Sequence, residues 1–359
     1  MNVLITGGAG FIGSFVADAL LKKGYTVTCY DNLDPQVHHG SKMPGYANKK
    51  ANYVIADVRD YDALKKEVLK ADMVIHLASS VGVAQSNEKI RHYVDNTELG
   101  TANLFDILVN NKNKVQKVII GTSMTSYGEG AYECKRHSRV RPMVRTVAEI
   151  EEFGMEPVCP VCRREITAVP TREDDIQNLN SIYSLNKYVQ EKMARIYTEQ
   201  TGIPTVCLKM FNIYGPRQSL TNPYTGVTAI FLSMILAGET PKLFEDGLQT
   251  RDFLFVEDAA DAYVKALEAD LEGHHVINLG SGIPLTIKDV ALKVAGVVGK
   301  EVEPELVLED GKYKYRIGDI RHCFADASKA KEVLNWEPSI SFEQGIQKLV
   351  DWGKKDFTS

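Results

Sequence analysis

The first thirteen residues constrain the fold of this chain more than any other segment. A short apolar run over residues 2–6 precedes three glycines at the spacing that opens a helix after a strand, namely Gly7, Gly10 and Gly13. The first glycine of such a unit permits a tight turn, the second lets a pyrophosphate approach the backbone, and the third lets the helix pack on the strand. Free N–H groups at the helix N-terminus attract phosphates. The segment therefore predicts a dinucleotide-binding strand–turn–helix unit.

The next apolar run, residues 25–30, ends at Asp31. This position lies about 20 residues beyond the glycine turn, where a carboxylate accepts hydrogen bonds from the adenosine ribose hydroxyls. A carboxylate also repels a 2′-phosphate, so Asp31 favours NAD over NADP. We expect three residues near these motifs to contact the same cofactor: Phe11, Ile12 and Asn32.

Strand and helix patterns continue to alternate along the chain. Apolar runs occur at residues 3–6, 27–31, 53–56, 73–77 and 118–121, and helical patterns begin at residue 12, near residue 60 and near residue 87, the last reaching residue 110. Such alternation specifies a parallel sheet with helices on both faces. A helix over residues 181–201 and a strand over residues 204–211 follow. The predicted fold class is α/β, a Rossmann-type doubly wound parallel sheet with a smaller C-terminal substrate domain.

The last third of the chain is less regular and leads us to expect two closely packed domains. It predicts strands over residues 253–256 and 276–279 and helices over residues 257–269, 286–298, 327–334 and 342–352. We expect an NAD-binding domain over residues 1–215, with residues 252–278 returning to it, and a substrate-binding domain over residues 216–251 and 279–359. Residues 131–172 form a cysteine-containing insertion. No polar linker separates the domains, so they should close a cleft at the carboxyl ends of the strands.

Composition excludes several classes of protein. The net charge of −5 argues against a nucleic-acid surface. No apolar run approaches the roughly 20 residues that span a bilayer. The chain enters a strand at once, so we expect no signal peptide. Six cysteines in 359 residues do not make a disulfide framework, and we expect a cytoplasmic protein.

A phenol and an ammonium on one helix face form the candidate catalytic pair. Tyr183 and Lys187 are four residues apart. A nearby ammonium favours the phenolate, whose pKa otherwise lies at about 10. The spacing alone is weak because three other tyrosine–lysine pairs share it. Here, however, the preceding strand ends in the hydroxyl-rich residues 122–128, which would place a hydroxyl beside the phenol. The alternative is a helix tyrosine with a lysine directed to solvent.

Together these features resemble the extended short-chain dehydrogenase/reductases, and in particular the NAD-dependent nucleotide-sugar epimerase/dehydratase family. The resemblance covers nearly the whole chain apart from the insertion. The matching pieces are Thr6 to Gly13, Asp57-Val58, His76 to Ser79, Thr125 with Tyr127-Gly128, the Tyr183/Lys187 pair, Phe211 to Pro216, Arg251 to Phe253 and Arg316 to Asp319.

The resemblance implies which residues bind the cofactor and the substrate. Asp57 and Val58 would lie at the adenine, and Lys187 would also bind the nicotinamide ribose. The residues along the pyrophosphate and ribose would be Leu77, Ala78 and Ser79. The residues that hold the sugar nucleotide would be Ser123, Asn212, Arg251, Arg316 and Asp319. A guanidinium suits this role because its planar fork matches a diphosphate.

The reaction that the resemblance implies begins when Tyr183 removes a sugar hydroxyl proton while hydride passes from the same carbon to NAD. Dehydratases of the family carry an Asp-Glu pair where this chain has Met124 and Thr125. Neither side chain is a general acid or base, and Thr125 would instead hydrogen-bond and steady Tyr183. We therefore expect epimerisation at C4 of a nucleoside-diphosphate hexose through a 4-keto intermediate. The alternatives are an NAD(P)H-dependent 4-ketoreductase and, more remotely, a non-catalytic NAD-binding regulator.

The insertion carries two closely spaced pairs of metal-ligating residues, Cys134 with His137 and Cys159 with Cys162. Two pairs about 20 residues apart suit a tetrahedral zinc site, and four protein ligands leave no open position, so the metal would be structural. The alternative is a surface excursion with free thiols. Zinc knuckles favour glycine after the second ligand of each pair, and this chain has Ser138 and Arg163 there.

An insertion at this position resembles the members of the family assigned as dTDP-L-rhamnose 4-epimerases, and residues 222–227 and 316–326 point the same way. The insertion leaves the carboxyl end of the catalytic strand, so we expect it to cap the sugar or to shape a subunit contact. Family analogy implies a homodimer formed through the helices near residues 87–110 and 181–201.

Overall fold

The computed structural model describes residues 1–222, 224–315 and 318–356. The strands in chain order are β1 Asn2–Thr6, β2 Thr26–Asp31, β3 Asn52–Ile55, β4 Met73–His76, β5 Val118–Ser123, β6 Ala131–Cys134, β7 Ser138–Val140, β8 Thr167–Val169, β9 Thr205–Met210, β10 Asn212–Tyr214, β11 Lys242–Leu243, β12 Thr250–Phe255, β13 His274–Leu279, β14 Pro284–Thr286, β15 Glu305–Leu306, β16 Leu308–Glu309, β17 Lys312–Tyr313 and β18 His322–Cys323. The α-helices are α1 Phe11–Lys22, α2 Tyr61–Val68, α3 Val83–Glu88, α4 Ile90–Val94, α5 Gly100–Asn110, α6 Val147–Phe153, α7 Ile182–Thr201, α8 Val227–Leu236, α9 Val256–Glu268, α10 Ile287–Val298, α11 Ser328–Leu334 and α12 Phe342–Asp356.

A seven-stranded parallel sheet in the order β3-β2-β1-β4-β5-β9-β13 forms the centre of the molecule. The central strands are apolar and buried on both faces, as a sheet covered by helices requires. Helices α1, α9 and α11 pack on one face, and α2, α5 and α7 pack on the other. The predicted Rossmann-type α/β fold is confirmed.

A second layer of structure lies beyond the sheet. Strands β10, β12, β14 and β18 form a small mixed sheet, which packs with α8, α10 and α12 around a core of its own. Helix α9 and strand β13 return to the first sheet, whereas β12 pairs with β10 and β14 instead. No helix within the described ranges combines the length and the apolar character that crossing a bilayer needs.

One predicted helix is interrupted. The pattern over residues 87–110 folds as α3, α4, a π-helical turn over Asp95–Leu99, and α5. Lys89, between α3 and α4, has φ −110° and ψ 48°, which is not helical. The single helix that the sequence predicts is therefore replaced by three α-helical segments, joined by a non-helical residue and a π turn. Asn96 and Thr97 are buried within this turn.

The insertion folds as a small unit directly after the catalytic strand. It contains a three-stranded antiparallel sheet in the order β7-β6-β8 and the short helix α6, which Thr146 and Glu149 cap reciprocally. Its core is a small cluster of four buried residues, Tyr132, Cys134, Val140 and Cys159. The insertion is therefore a small folded unit with its own hydrophobic core.

Candidate active site

A cleft of about 930 Å³ opens at the carboxyl ends of the parallel strands. It is lined by every residue that the sequence assigns to cofactor binding: Gly7, Gly10, Phe11, Ile12, Gly13, Asp31, Asn32, Asp57, Val58, Leu77, Ala78, Ser79, Tyr183 and Lys187. Ser123, Thr125, Asn212, Arg251 and Asp319 also line it. Arg316 lies outside the described residues. One continuous cleft thus joins the two predicted halves of the site.

The glycine turn has the shape that a bound pyrophosphate needs. Gly7 has φ +71°, and a Cβ there would lie 2.9 Å from the backbone nitrogen of Ala78. A Cβ at Gly10 would meet only the Gly7 carbonyl at 3.3 Å and would otherwise occupy the cleft itself. Helix α1 begins at this point without a side-chain cap, so its first N–H groups stay available to a ligand. These features fit a dinucleotide phosphate.

The Asp31 carboxylate is held in place from two sides. Its Oδ2 accepts a hydrogen bond from the backbone N–H of Ala9 at 3.0 Å, and its Oδ1 accepts one from Leu33 at 2.9 Å. The Nε2 of His38 lies 3.7 Å from Asp31 Oδ1. Burial lowers the pKa of His38, although the charge of Asp31 opposes this. His38 is a residue of the site that no sequence motif indicates.

Asp57 and Asn32 form the outer rim of the cofactor side. Asn32 Nδ2 donates to Asp57 Oδ2 at 3.0 Å, and Arg59 donates from Nε and Nη2 to the two oxygens of the same carboxylate. The hydrogen bonds from Arg59 hold the pKa of Asp57 at about 2. Asp57 is therefore ionised at any physiological pH, and it can accept hydrogen bonds from an adenine amine.

Helix α7 positions the predicted catalytic pair. Ser181 caps the helix by accepting from the backbone N–H of Ser184 at 3.1 Å, and Tyr183 follows in the first turn. The Lys187 ammonium lies 6.0 Å from the centroid of the Tyr183 ring and donates to the Gly121 carbonyl at 3.0 Å. Both side chains face the cleft, so the structure brings the pair together as the sequence predicts.

Burial dominates the electrostatics of this pair. It raises the pKa of Tyr183, and a hydrogen bond with Ser123 opposes the rise. It also lowers the pKa of Lys187 to about 7. The expectation that the nearby ammonium lowers the pKa of Tyr183 is not met here, because burial disfavours the phenolate.

Ser123 hydrogen-bonds Tyr183, and Thr125 contacts Ser123, so the catalytic role of Thr125 stays a prediction. Ser123 ends β5 at the cleft and hydrogen-bonds the phenol. Thr125 lies in the following 3₁₀ turn, where its Oγ1 and backbone N–H both donate to Ser123 Oγ, at 3.0 and 3.3 Å. Met124, between them, is buried and carries no acidic group.

The residues predicted to hold the sugar nucleotide meet at the other side of the cleft. Arg251 donates from Nη2 to Asp319 Oδ1 at 2.8 Å and to the Ile320 carbonyl at 2.7 Å. Asn212 Nδ2 donates to the Asp252 carbonyl at 3.0 Å. The guanidinium is mostly buried and held in one orientation. Its Nη1 also donates to the Thr250 and Arg321 carbonyls at 2.9 and 3.1 Å, so, within the described residues, Nε is the donor that remains for a diphosphate.

Two glutamines in this part of the cleft were not predicted. Gln218 and Gln249 are both buried, and the Oε1 atom of each lacks a hydrogen-bond partner among the described residues. Gln249 donates from Nε2 to the Phe244 carbonyl at 3.2 Å, which fixes the direction of its amide. Both residues line the cleft and can accept a hydrogen bond from a ligand. Neither belongs to a recognisable motif.

The four cysteine and histidine residues of the insertion converge on one point. The ligand atoms of Cys134, His137, Cys159 and Cys162 all lie within 4.8 Å of one another. The two sulfur–nitrogen distances to His137 Nδ1 are 3.5 Å, and the Cys134–Cys162 sulfur distance is 3.7 Å. Tetrahedral zinc bond lengths imply about 3.5 Å and about 3.8 Å for such pairs. The donor set therefore fits a four-coordinate zinc ion.

The turns around the cluster also have knuckle geometry. Ser138 and Arg163, which occupy the positions where knuckles favour glycine, have φ of +55° and +57°. The backbone N–H of Arg136 points at Cys134 Sγ at 3.5 Å. Ser138 and Arg163 thus keep the left-handed backbone conformation although both carry side chains.

None of the described residues over 131–172 lines the cleft, so the expectation that the insertion caps the sugar is not met.

The fold and the site together define a Rossmann-fold enzyme of the short-chain dehydrogenase/reductase class, with a tyrosine–lysine pair at the dinucleotide. The model of the NAD dependent epimerase/dehydratase family matches residues 3–146, and the GDP-mannose 4,6 dehydratase model matches residues 165–349. The chain belongs to the NAD-dependent epimerase/dehydratase family. The predicted family and enzyme class are thereby confirmed.

Relatives at full length have related activities. The chain is 35% identical to a dTDP-L-rhamnose 4-epimerase of Burkholderia thailandensis, over 98% of this chain and 94% of that one. It is similar to the Thermotoga maritima UDP-glucose 4-epimerase with UDP-glucose, at a TM-score of 0.80, 28% identity and coverage of 99% and 100%. It is also similar to the Bacillus cereus UDP-glucuronic acid 4-epimerase in complex with UDP-glucuronic acid and NAD, at a TM-score of 0.79, 26% identity and 99% coverage of each chain.

Proposed function

We propose that this protein is an NAD-dependent epimerase acting at C4 of a nucleoside-diphosphate hexose. The observation that carries the proposal is the arrangement around Tyr183. The phenol lies at the cleft with Ser123 and Lys187, and the two residues after Ser123 are Met124 and Thr125 rather than acids. The site can therefore move a hydroxyl proton but has no carboxylate there to drive elimination.

Each residue of the site has a separate task in this reaction. Tyr183 accepts the proton of the C4 hydroxyl, and Ser123 hydrogen-bonds the same oxygen as it becomes a carbonyl. Lys187 uses one of its three N–H donors on Gly121 and a second on Gln190, which leaves one for a ribose hydroxyl. A bound NAD would supply the hydride acceptor and donor for C4, and the glycine turn, Asp31 and Lys187 would hold it. Arg251 holds the diphosphate while the 4-keto sugar turns over.

The main alternative is a net 4-ketoreductase, which would consume a reduced cofactor. Asp31 argues against NADPH because its carboxylate is fixed by Ala9 and Leu33 and cannot turn away from a 2′-phosphate. A redox-neutral reaction needs only a retained NAD, which agrees with this selectivity. The retained pair of Tyr183 and Lys187 argues against a non-catalytic regulator.

For the sugar, we propose dTDP-L-rhamnose as the substrate. The proposal is supported by the 35% identity to a dTDP-L-rhamnose 4-epimerase over almost the whole chain. A second support is the apolar lining near the catalytic strand end, where Val81, Val83, Met124 and Phe211 face the cleft. Apolar side chains suit the C6 methyl group of a 6-deoxy sugar.

Purified holoenzyme and NMR of the product test both levels of the proposal. With no added cofactor, dTDP-L-rhamnose and UDP-hexoses are each offered and the products are identified by the coupling constants at C4. A C4 epimer formed without net redox supports the reaction class, and preference for the deoxy sugar supports the substrate. Stoichiometric consumption of NAD(P)H would instead indicate the reductase.

The cysteine–histidine cluster is proposed to hold one structural zinc ion. Cys134, His137, Cys159 and Cys162 would be its four ligands, so the ion would hold the two arms of the insertion together without contacting substrate. Metal analysis should give one zinc per chain. Cys134→Ser should lose the metal and lower the melting temperature, whereas Cys323→Ser, at a buried cysteine outside the cluster, should keep it. A zinc-free protein whose stability does not respond to added zinc would contradict the proposal.

We further propose that the insertion supports the substrate site through hydrogen bonds from outside the cleft. Arg141, four residues beyond His137, donates from Nη2 to the Tyr127 carbonyl in the catalytic turn at 2.9 Å. Arg145 donates to Glu245 Oε1 at 2.9 Å, in the loop that leads to Arg251. The module therefore contacts both the catalytic turn and the nucleotide side.

A buried ion network extends this contact. Arg321 donates to Glu156 of the insertion at 2.8 Å, and also to Glu245 at 3.1 Å and Asp246 at 2.6 Å. Its backbone N–H donates to Glu129 Oε2 at 2.8 Å. Arg321 follows the segment that carries Asp319, so the network fixes a neighbour of the Arg251–Asp319 pair.

The homodimer, the cytoplasmic location and the domain boundaries given above stay predictions.

A further inference from the structure

Lys187 is held by a residue that the reaction itself does not require. Its Nζ donates to Gln190 Oε1 at 3.1 Å, one helical turn further along α7. Gln190 is almost completely buried, and it does not line the cleft. A buried glutamine in contact with the catalytic ammonium must have both ends of its amide satisfied, since an unpaired polar group is costly there.

The other end of the Gln190 amide is anchored across the helix pair. Gln190 Nε2 donates to Thr101 Oγ1 at 2.7 Å, and Thr101 Oγ1 donates in turn to the Thr97 carbonyl at 2.6 Å. Thr101 is therefore an acceptor towards Gln190, which fixes the glutamine with its carbonyl oxygen on Lys187. The π-helical turn at Asp95–Leu99 brings the Thr97 carbonyl to this position.

The chain of hydrogen bonds continues to the nucleotide-binding strand ends. His76 Nε2 lies 3.0 Å from Thr101 Oγ1, whose own proton is used on Thr97, so His76 donates from Nε2. His76 Nδ1 then accepts from Thr6 Oγ1 at 2.7 Å. Thr6 Oγ1 accepts from the backbone N–H of Ala78 at 3.3 Å. Each hydrogen bond in this series therefore has one consistent donor and one consistent acceptor.

We propose that Gln190 is a positioning residue that holds the Lys187 ammonium in place, and that this buried chain anchors Gln190 to the strand ends on the pyrophosphate side of the cleft. Rigid support matters because the remaining N–H of the ammonium must reach a ribose hydroxyl while its charge stays close to the Tyr183 ring. A shift of either contact would reduce catalysis, as a misplaced group typically does. The inference rests on the proposed function of Lys187.

Few titratable groups lie close enough to Lys187 to change its pKa. Among the described residues, the titratable groups that act on it are Tyr183 on the same helix, His76 on β4 and Cys207 on β9. Burial lowers the pKa of His76 to about 3 and raises that of Cys207 well above its usual value, so both stay neutral. The Gln190 oxygen is thus the main side-chain acceptor that stabilises the charged form of Lys187.

The test compares Gln190→Leu and Gln190→Glu with the control Gln200→Leu, at an exposed glutamine on the same helix. In the holoenzyme, the pKa of Lys187 is measured by NMR of lysine labelled at the ε-carbon, with Lys187→Met to assign the signal. Gln190→Leu should lower this pKa by about one unit, since it removes one charge-assisted hydrogen bond. It should also reduce kcat roughly tenfold with little change in KM. Gln190→Glu should raise the pKa and restore most of kcat.

An unchanged Lys187 titration in Gln190→Leu, relative to Gln200→Leu, would overturn the inference, as would a kcat loss that only follows a lower melting temperature. If Gln190→Leu does not fold, Gln190→Met decides, because it keeps most of the volume of glutamine and removes the oxygen that accepts from Lys187; an unchanged Lys187 pKa in this variant would overturn the inference. The NMR measurement needs no turnover. A wild-type protein that epimerises no nucleotide sugar would therefore overturn the proposed function separately from the role of Gln190.

Discussion

Replacing Ser123 and Thr125 in turn tests which of the two hydroxyls acts directly on the phenol of Tyr183. Ser123→Ala removes the group that hydrogen-bonds Tyr183, and Thr125→Val removes only a donor to Ser123 at 3.0 Å. A hydrogen bond to a charged group is worth about 1.5–3 kcal/mol and a neutral one about 0.5–1.5 kcal/mol. Ser123→Ala should therefore reduce kcat roughly 10- to 150-fold, and Thr125→Val roughly 2- to 10-fold.

The assay is initial-rate epimerisation of the preferred nucleotide sugar by holoenzyme, with bound NAD and melting temperature measured for each variant. Both variants should keep NAD because neither side chain belongs to the glycine turn or to the Asp31 contacts. Val is used at position 125 because it keeps the volume and branching of threonine. A larger loss from Thr125→Val than from Ser123→Ala would refute the assignment and return the direct role to Thr125.

Three further predictions concern stability and cofactor choice. Arg321→Met should lower the free energy of unfolding by about 1–3 kcal/mol, measured by denaturant titration, because Asp246 loses its partner Arg321 and Glu245 keeps only Arg145; an unchanged free energy of unfolding would contradict the proposed support. Since burial lowers the pKa of Lys187 to about 7, the unfolded chain binds the extra proton above that pH, so the stability of the cofactor-free protein should rise between pH 7 and pH 9. That rise should be smaller in Lys187→Met, and equal slopes in the two proteins would count against the buried ammonium. Asp31→Ser should weaken NAD binding and improve NADP binding, as measured by calorimetry, and an unaltered preference would show that Asp31 does not select the cofactor.

The sequence is most informative where one physical requirement acts on consecutive residues. The glycine turn, the buried parallel strands and the Tyr183–Lys187 spacing each need particular residue types at fixed intervals, and the structure places them as predicted. The cysteine and histidine pairs behave in the same way, because the donor set itself limits which atoms can converge. Local spacing is sufficient in these cases.

Features that depend on long-range contacts were not predictable. Ser123 and Thr125 are both hydroxyl residues two positions apart, and only the end of β5 decides which one faces Tyr183. The break in the helix over residues 87–110 comes from backbone geometry at Lys89 and the π turn. Gln190 has ordinary helical surroundings in the sequence, and its role follows from Thr101 on another helix.

Isotope retention is the most direct test of the central claim. The holoenzyme is supplied with a nucleotide sugar deuterated at C4 in ordinary water, and the epimer is examined by NMR. If hydride leaves and returns at C4, the product keeps its deuterium at C4, and a parallel reaction in D₂O places none on the neighbouring carbons. Loss of the C4 label to solvent, or solvent deuterium at C3 or C5, would contradict a transient 4-keto sugar formed by Tyr183.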